Sequence, residues 1–480
     1  MSIEEKTKRM YGRRIIFTDV DEITEKNVIS VLEDTFPVHE KNKGEIKYLY
    51  NYWKGKQPIL GRNKEIRPEI NNIIVENRAN EIVSFKSSYL MGEPVQYINR
   101  SKENIADSLN LFNEYIFLEN KEAKDKTLTD WFTICGTAYR MILPVQHDRS
   151  DEAPFNIYIL NPMQTYVVYH NGLGNREMMS VHFIKKKDGT ILYIIYTDCR
   201  YFEIVEESES KKIRFWSYHS LRNIPVIEYL SNEARLGAFE VVLPILDAIN
   251  NVASNRIDAV EQFVQAILVI AGGEIEEKVF KSLKDLGGLS LPEGVDAKYL
   301  VQELNQMQTQ TLVDCMYQTV LTICGMPNRN GGTSTSDTGK AVIMRDGWTN
   351  AEARAKDSEK MFKLAEKKFF KIALYITNNL RGTELKLSDI DIRLPRRNYE
   401  NVLEKAQVLN MLLANPKIHP KLAFEHSDMF VDPEFAYGIS NEYYENYQKE
   451  KLKEVEEYTK GLVNSQKKEI DDADEGEEDV

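Results

Sequence analysis

The sequence predicts an α+β fold, and three observations carry that expectation. Apolar residues recur at helical spacing in the first part of the chain, alternate with polar ones between Phe155 and Tyr229, and return to helical spacing after Glu240. Hydrophobic residues make up 42% and charged residues 29% of the 480-residue chain, a globular composition. Length suggests about three domains and ample burial.

The elements follow in order. From Glu40 to Leu118 the positions Ile46, Leu49, Tyr50 and Trp53, then Ile70, Ile73, Ile74, Ile82, Phe85 and Tyr89, read as two helices, the second stopping at Gly92-Glu93-Pro94. Ser101 can cap a third helix carrying Ile105, Leu109, Phe112 and Ile116, and Leu128 to Gly136 reads as a fourth before a strand from Thr137 to Leu143. Between Phe155 and Tyr229 the alternation predicts antiparallel strands, with Asn171-Gly172 and Asp188-Gly189 as hairpin turns because both pairs tolerate positive φ.

A long helix is expected from Glu240 to Gln265. Val242, Leu246, Ile249, Ala253, Ile257, Val260, Phe263 and Val264 form its apolar stripe, with Asn250, Asn251, Ser254, Asp258 and Glu261 opposite. A small insert follows: a strand at Ala266 to Ile270, a short helix at Glu274 to Lys284, and strands at Leu289 to Leu291 and Lys298 to Val301. A second helix returns from Val301 to Cys324, and residues Asn328 to Gly339, rich in Gly, Ser, Thr and Asn, read as a loop with little to bury. Ala341 to Leu380 reads as a long helix kinked at Asp346-Gly347 and stopped by Gly382. Helices at Tyr399 to Leu413, Pro420 to Phe430 and Asn441 to Val463 precede an acidic tail.

Charge and motif content exclude several functions. Eight acids and no base lie between residues 469 and 480, so removing them from the net −13 leaves −5. That balance lacks the basic footprint of a protein that grips nucleic acid. The N-terminus is charged where a secretory signal needs an apolar core, and the longest apolar run, Ala266 to Ala271, is too short for a bilayer, so neither secretion nor a membrane span is expected. Cys135, Cys199, Cys315 and Cys324 show no C-x-x-C spacing and are expected to be reduced.

Gly331 to Ala341 invites a phosphate-loop reading that fails on spacing. Six residues separate Gly332 from Gly339, and Ala341 stands where a Ser or Thr would hold Mg²⁺. His39, His147, His170, His182, His219, His419 and His426 contain no H-x-x-x-H pair, so no metal and no cofactor is expected. No G-x-S-x-G elbow suggests a hydrolase. Lys185-Lys186-Lys187 adjoins the Asp188-Gly189 turn and reads as a solvated bend; Arg396-Arg397 is the other basic pair considered for phosphate contact.

Several segments resemble the portal proteins of long-tailed double-stranded DNA bacteriophages. Tyr48 to Leu60 (YLYNYWKGKQPIL), Asn80 to Tyr97 (NEIVSFKSSYLMGEPVQY), Phe239 to Ile270, the loop at Gly331 followed by a helix from Lys340, and Asp432-Pro433-Glu434 are similar to that family, and the similarity spans residues 40 to 445. The resemblance implies a non-enzymatic subunit of a ring, usually dodecameric. Its parts are a wing (residues 1–237, rejoined by 341–395), a stem (238–265 and 302–326), a clip (266–301), a tunnel loop (327–340) and a crown (396–463). Residues 464–480 match no motif of the family and are expected to be disordered.

The same resemblance implies partners: further copies of the chain, the large terminase ATPase, a head-to-tail adaptor, the major capsid or scaffolding protein, and the DNA passing through the channel. It implies a place at the capsid portal vertex, with assembly in the host cytoplasm and no membrane. Asn330, Gly331, Gly332, Thr333, Ser334, Thr335, Ser336, Gly339 and Lys340 are the candidate DNA-facing residues, and Glu274, Glu276, Glu277, Lys281 and Lys284 the candidate docking residues of the clip. The alternatives by residue pattern are a head-to-tail adaptor or capsid protein, and a DNA-processing enzyme, which would need the phosphate loop that fails here.

Overall fold

The computed structural model describes residues 12–100, 105–145, 151–208, 210–264, 267–271, 296–300, 306–328, 347–396, 402–427, 429–430 and 433–474. The chain divides into two compact units, Met1–Arg396 and Arg397–Val480.

In the first unit, helix α1 (Val28–Trp53) begins well before Glu40 and runs through Pro37. Its N-terminal half places Val28, Val31 and Leu32 against Tyr166, Val181, Phe183, Tyr193 and Phe202 of a six-stranded sheet. The strands are β1 (Ile16–Thr18), β5 (Thr165–His170), β6 (Glu177–Lys185), β7 (Ile191–Tyr196), β8 (Arg200–Glu207) and β9 (Ser210–Tyr218), in the spatial order β1-β5-β6-β7-β8-β9. β1 pairs parallel with β5, and every other neighbour is antiparallel. The β5–β6 turn differs from the expected Asn171-Gly172 pair: positive φ falls at Gly174 and Asn175, because the hairpin closes lower, at Tyr169↔Glu177. At the β6–β7 turn Gly189 takes φ 90°, as its type allows.

A second sheet, ordered β10-β3-β4, contains β3 (Thr137–Pro144), β4 (Phe155–Leu160) and β10 (Val226–Leu230). Helices α3 (Ala106–Leu118), α4 (Lys121–Cys135) and α7 (Trp348–Arg381) pack on it around Phe112, Phe132, Phe155, Tyr229, Phe362, Phe369 and Phe370. Tyr139, Met141, Val167 and Val226 fill the seam between the two sheets. A short ladder of β2 (Gln96–Asn99) and β13 (Ile390–Arg393) returns the chain after α7 to this layer.

Four charges sit inside that second core. Lys121 Nζ lies 2.7 Å from both Asp125 and Glu366, while Arg140 meets Glu366 at 2.9 Å and also pairs with Asp125. Tyr97 and Tyr229 each donate a hydroxyl to Glu366, at 2.9 and 2.7 Å. Two cations and two carboxylates cancel, which is the condition under which burying them is tolerable.

Residues 341–346, the first part of the expected kinked helix, lie outside the described residues. Gly347 is the left-handed N-cap (φ 84°) of α7, the helix runs from Trp348 to Arg381, and Gly382 ends it at φ 68°. In the second unit, helices α8 (Val402–Leu413) and α9 (Pro420–Ser427) precede α10 (Pro433–Asp474). Helix α10 continues through 464–474, so disorder does not begin at residue 464. Propensity accounts for this, since Gln466, Lys467, Lys468 and Glu469 are good helix formers ahead of the acid-dense end. Phe424 stacks on Phe430 at 5.1 Å and meets Tyr437 edge-on at 5.8 Å, which closes α9 against α10.

Candidate functional site

The residues singled out in the sequence for DNA contact, Asn330 to Ser336 with Gly339 and Lys340, lie outside the described residues, as do Glu274, Glu276, Glu277, Lys281 and Lys284, singled out for partner docking. What is described is the frame that carries them. Helix α5 (Leu243–Val264) leads into β11 (Ile267–Ala271), and β12 (Asp296–Leu300) pairs antiparallel with β11 before helix α6 (Gln306–Cys324) returns. The helices run antiparallel: Arg256 bonds Gln310 at 2.6 Å near the insert, and the Cys324 thiol meets Ala238 O at 3.6 Å at the other end.

The polar side of α5 is not solvated as its pattern suggests. Asn250, Ser254 and Asp258 are 2%, 0% and 2% exposed. They accept, in turn, the backbone N–H groups of Glu76 (2.9 Å), Ile74 (3.0 Å) and Asn72 (2.7 Å). A four-residue step along a helix rises about 6 Å, and two residues of extended chain advance about 6.6 Å, so one side-chain ladder can serve alternate backbone amides. Residues 71–77 thus form an extended strap laid antiparallel along helix Leu243–Val264.

Both ends of the strap are fixed. Asn250 Nδ2 donates to Gln57 Oε1 (2.5 Å), Gln57 Nε2 donates to Asn77 Oδ1 (3.0 Å), and Asn77 takes φ 45° before helix α2 (Arg78–Leu90). At the other end Arg62 pairs with Asp258 at 2.8 Å and donates to Asn72 O at 2.7 Å, while Lys64 also pairs with Asp258. Burial alone would raise the Asp258 carboxyl, but Lys64, the Asn72 donors and Arg62 hold it down to about 2.

The strap takes up Asn250, Ser254 and Asp258, while exposed apolar residues of α5 stand beside the exposed Asn251, Asn255 and Glu261. Ile257 and Val260 are 40% and 44% exposed, and on α6 Met307 and Leu312 are 81% and 51% exposed. The inner side of the pair, Leu246, Ile249, Val320, Leu321 and Cys324, is buried against Ile46, Leu49 and Tyr52 of α1 and Ala79, Ile82 and Val83 of α2.

The sequence reading missed the strap because Ile70, Ile73 and Ile74 fit a helical i, i+3, i+4 pattern. The available signal was Pro68 with the asparagines at 71, 72 and 77, residue types that favour turns and extended chain over a helix interior.

These features define a body of two sheets that carries two long antiparallel helices, α5 and α6, with a two-stranded ladder between them. The sequence pattern described as "Phage portal protein, SPP1 Gp6-like" matches residues 33–462, and the chain belongs to that family. It is a portal protein, and the family is structural. No curated protein matches the chain. Among solved structures, a chain in the neck of an empty GTA particle computed with C6 symmetry is 10% identical, covering 74% of this chain and 91% of its own at a TM-score of 0.45. A chain in the virion of a native gene transfer agent particle is also 10% identical, with 80% and 94% covered and a TM-score of 0.45. One in the neck of a native GTA particle computed with C12 symmetry is 9% identical, with 73% and 89% covered and a TM-score of 0.43. Among the described residues no helix is long and apolar enough to cross a membrane.

Proposed function

We propose that copies of this chain close into a ring through their stems, that DNA passes through the ring, and that the insert between the stem helices docks the packaging ATPase and then the head-to-tail adaptor. The observation that carries the reading is the inverted stem. Asn250, Ser254 and Asp258 face inward onto the strap while Ile257, Val260, Met307 and Leu312 face outward. Apolar side chains left open along a long helix pair favour contact with another surface, and in a closed homo-oligomer that surface is the next copy.

On this reading residues 327–340 are the tunnel loop, with Gly331, Gly332, Thr333, Ser334, Thr335 and Ser336 toward DNA, and Glu274, Glu276, Glu277, Lys281 and Lys284 belong to the docking surface. Hydroxyls and glycines offer phosphate weak hydrogen bonds without a strong charge trap, and a channel that carries a polyanion past an acidic chain avoids sticking at each phosphate. Energy for translocation then comes from the partner ATPase, and the protein resides at the capsid portal vertex after assembly in the host cytoplasm, in contact with capsid or scaffolding protein.

Electron microscopy and native mass spectrometry of the purified chain and of Ile257→Lys/Val260→Lys test the reading. Closed rings from the parent chain and folded monomers from the variant are expected. Rings that form equally well with both lysines in place would remove the stem from the assembly.

A further inference from the structure

Within residues 12–396 a cavity of about 510 Å³ opens between α2, α4, the segment 231–241, the end of α6 and the first turns of α7. Its walls are of two kinds. Phe85, Tyr89, Phe132 and Met361 contribute apolar surface, whereas Lys86 and Arg354 bring two cations to the same space. Burial lowers the pKa of the Lys86 ammonium, and Arg354 lowers it further. The Cys324 thiol between them supplies no charge, because burial lifts it to about 11 despite both cations.

Neither Lys86 nor Arg354 has a carboxylate partner among the described residues. Among the described residues the fully buried cations are paired, Lys121 and Arg140 with Asp125 and Glu366, and Arg235 with Glu228 at 2.7 Å, whereas Lys86 is half-buried and Arg354 exposed. The Lys86 ammonium carries a desolvation cost beside the exposed Arg354 guanidinium, and an incoming anion held between them offsets it.

We propose that this cavity is a binding site for an amphipathic oxyanion, an apolar body carrying one sulfonate, phosphate or carboxylate group, with Lys86 and Arg354 on the charged group. Small-molecule sites occupy about 300–1,000 Å³, so the cavity is sized for a ligand body, and a bare phosphate would leave most of it empty. At the rim, Asp357 is engaged by Lys360 at 3.1 Å and Glu233 carries a further negative charge. That balance of charges favours a ligand with one anionic group over a polyanion.

The probe is anilinonaphthalene sulfonate, titrated by fluorescence into the assembled full-length chain. Saturable binding at one site per chain is expected, weakened about tenfold or more by Lys86→Met/Arg354→Met, the loss of two charged hydrogen bonds. Lys86→Arg is expected to keep the affinity. Displacement by decanoate would mark an aliphatic body and displacement by deoxyadenosine monophosphate a flat one, and each supports the site. Equal affinity for parent and double variant, with matching circular dichroism, would overturn the proposal. So would equally tight binding of uncharged phenylnaphthylamine. Should the double variant fail to fold, the exposed Arg354→Gln alone carries the test, with weaker sulfonate binding expected and unchanged binding counting against the site.

Discussion

Arg140 on β3 and Glu366 on α7 meet at 2.9 Å with both side chains fully buried, so the sheet that opens the second core and the long helix that closes it are joined through one ion pair. Lys121 and Asp125 complete the set. Burial pushes the Glu366 carboxyl up, yet Lys121 and Arg140 hold it well below the ordinary carboxylate range. Removing that carboxylate leaves two buried cations sharing Asp125 alone, one positive charge short of balance. Glu366→Ala is therefore expected to cost about 3–5 kcal/mol, read as a lowered thermal midpoint of the purified chain. A midpoint within error of the parent would mean that the cations find water or relax outward. The sign in pH follows: a depressed carboxyl contributes stability above its unfolded value, about pH 4.3, and that stability is lost as pH falls through the lower folded value.

The strap predicts a position-specific effect. Ser254→Ala removes the acceptor for the Ile74 N–H and leaves a buried amide unsatisfied, at a cost of about 1–3 kcal/mol. Hydrogen exchange should quicken in the peptide that contains residues 72–76 while α1 and the six-stranded sheet stay protected. Uniform protection in parent and variant would show that the ladder does not hold the strap. Asp258→Asn should loosen the Asn72 end through Arg62 and Lys64, which lose their shared carboxylate.

How far this fold was legible follows from where each signal originates. The strands between Phe155 and Tyr229 were legible because alternation is local: one face of the six-stranded sheet packs on α1 while β7 to β9 leave the other partly exposed. Helices α5 and α6 were legible for a like reason, since helical periodicity is also local. What was not legible was the inside and outside of α5: its polar residues are buried because their partners, Asn72, Ile74 and Glu76, come from a segment more than 170 positions away. The ion cluster was equally hidden, since Lys121, Arg140 and Glu366 read singly as surface charges and become core residues only when α4, β3 and α7 converge.

His39 supplies a pH-dependent term. It lies stacked on Tyr166 with ring centroids 4.5 Å apart, and its Nε2 is 3.2 Å from Met163 O. Burial lowers its pKa to about 4. With an unfolded value of about 6.5, the unfolded chain binds the extra proton between those limits, so stability rises with pH across that window and this group's share is complete above it. The full term is about 3 kcal/mol. His39→Phe should flatten the rise in thermal midpoint between about pH 4 and pH 6.5 without abolishing it, because burial also lowers His182 and His219. An unchanged slope would assign the window to those two alone.

The junction between α4 and β3 sets the last prediction. Gly136 caps α4 at φ 86°, and its N–H bonds Phe132 O at 2.8 Å, so the chain reverses there in a conformation that side chains rarely adopt. Space is denied as well as conformation. A Cβ on Gly136 would lie 2.0 Å from the carbonyl oxygen of Arg235, and one on Gly237 would lie 2.3 Å from that of Ile134. Two backbones therefore cross without intervening side chains, sealed by the Ser231 N–H to Gly136 O at 3.0 Å and the Ala238 N–H to Thr133 O at 2.8 Å. This crossing lies just before α5, so it fixes where that helix leaves the two-sheet body. Gly136→Ala must displace the 235–237 backbone and is expected to lower the thermal midpoint by more than Gly174→Ala. Gly174 also has positive φ (85°) but would meet nothing within 4 Å, so that variant bears the conformational cost alone. The difference between the two isolates the steric part. Equal midpoints would show that the 235–237 segment yields freely and that the crossing does not set where α5 begins.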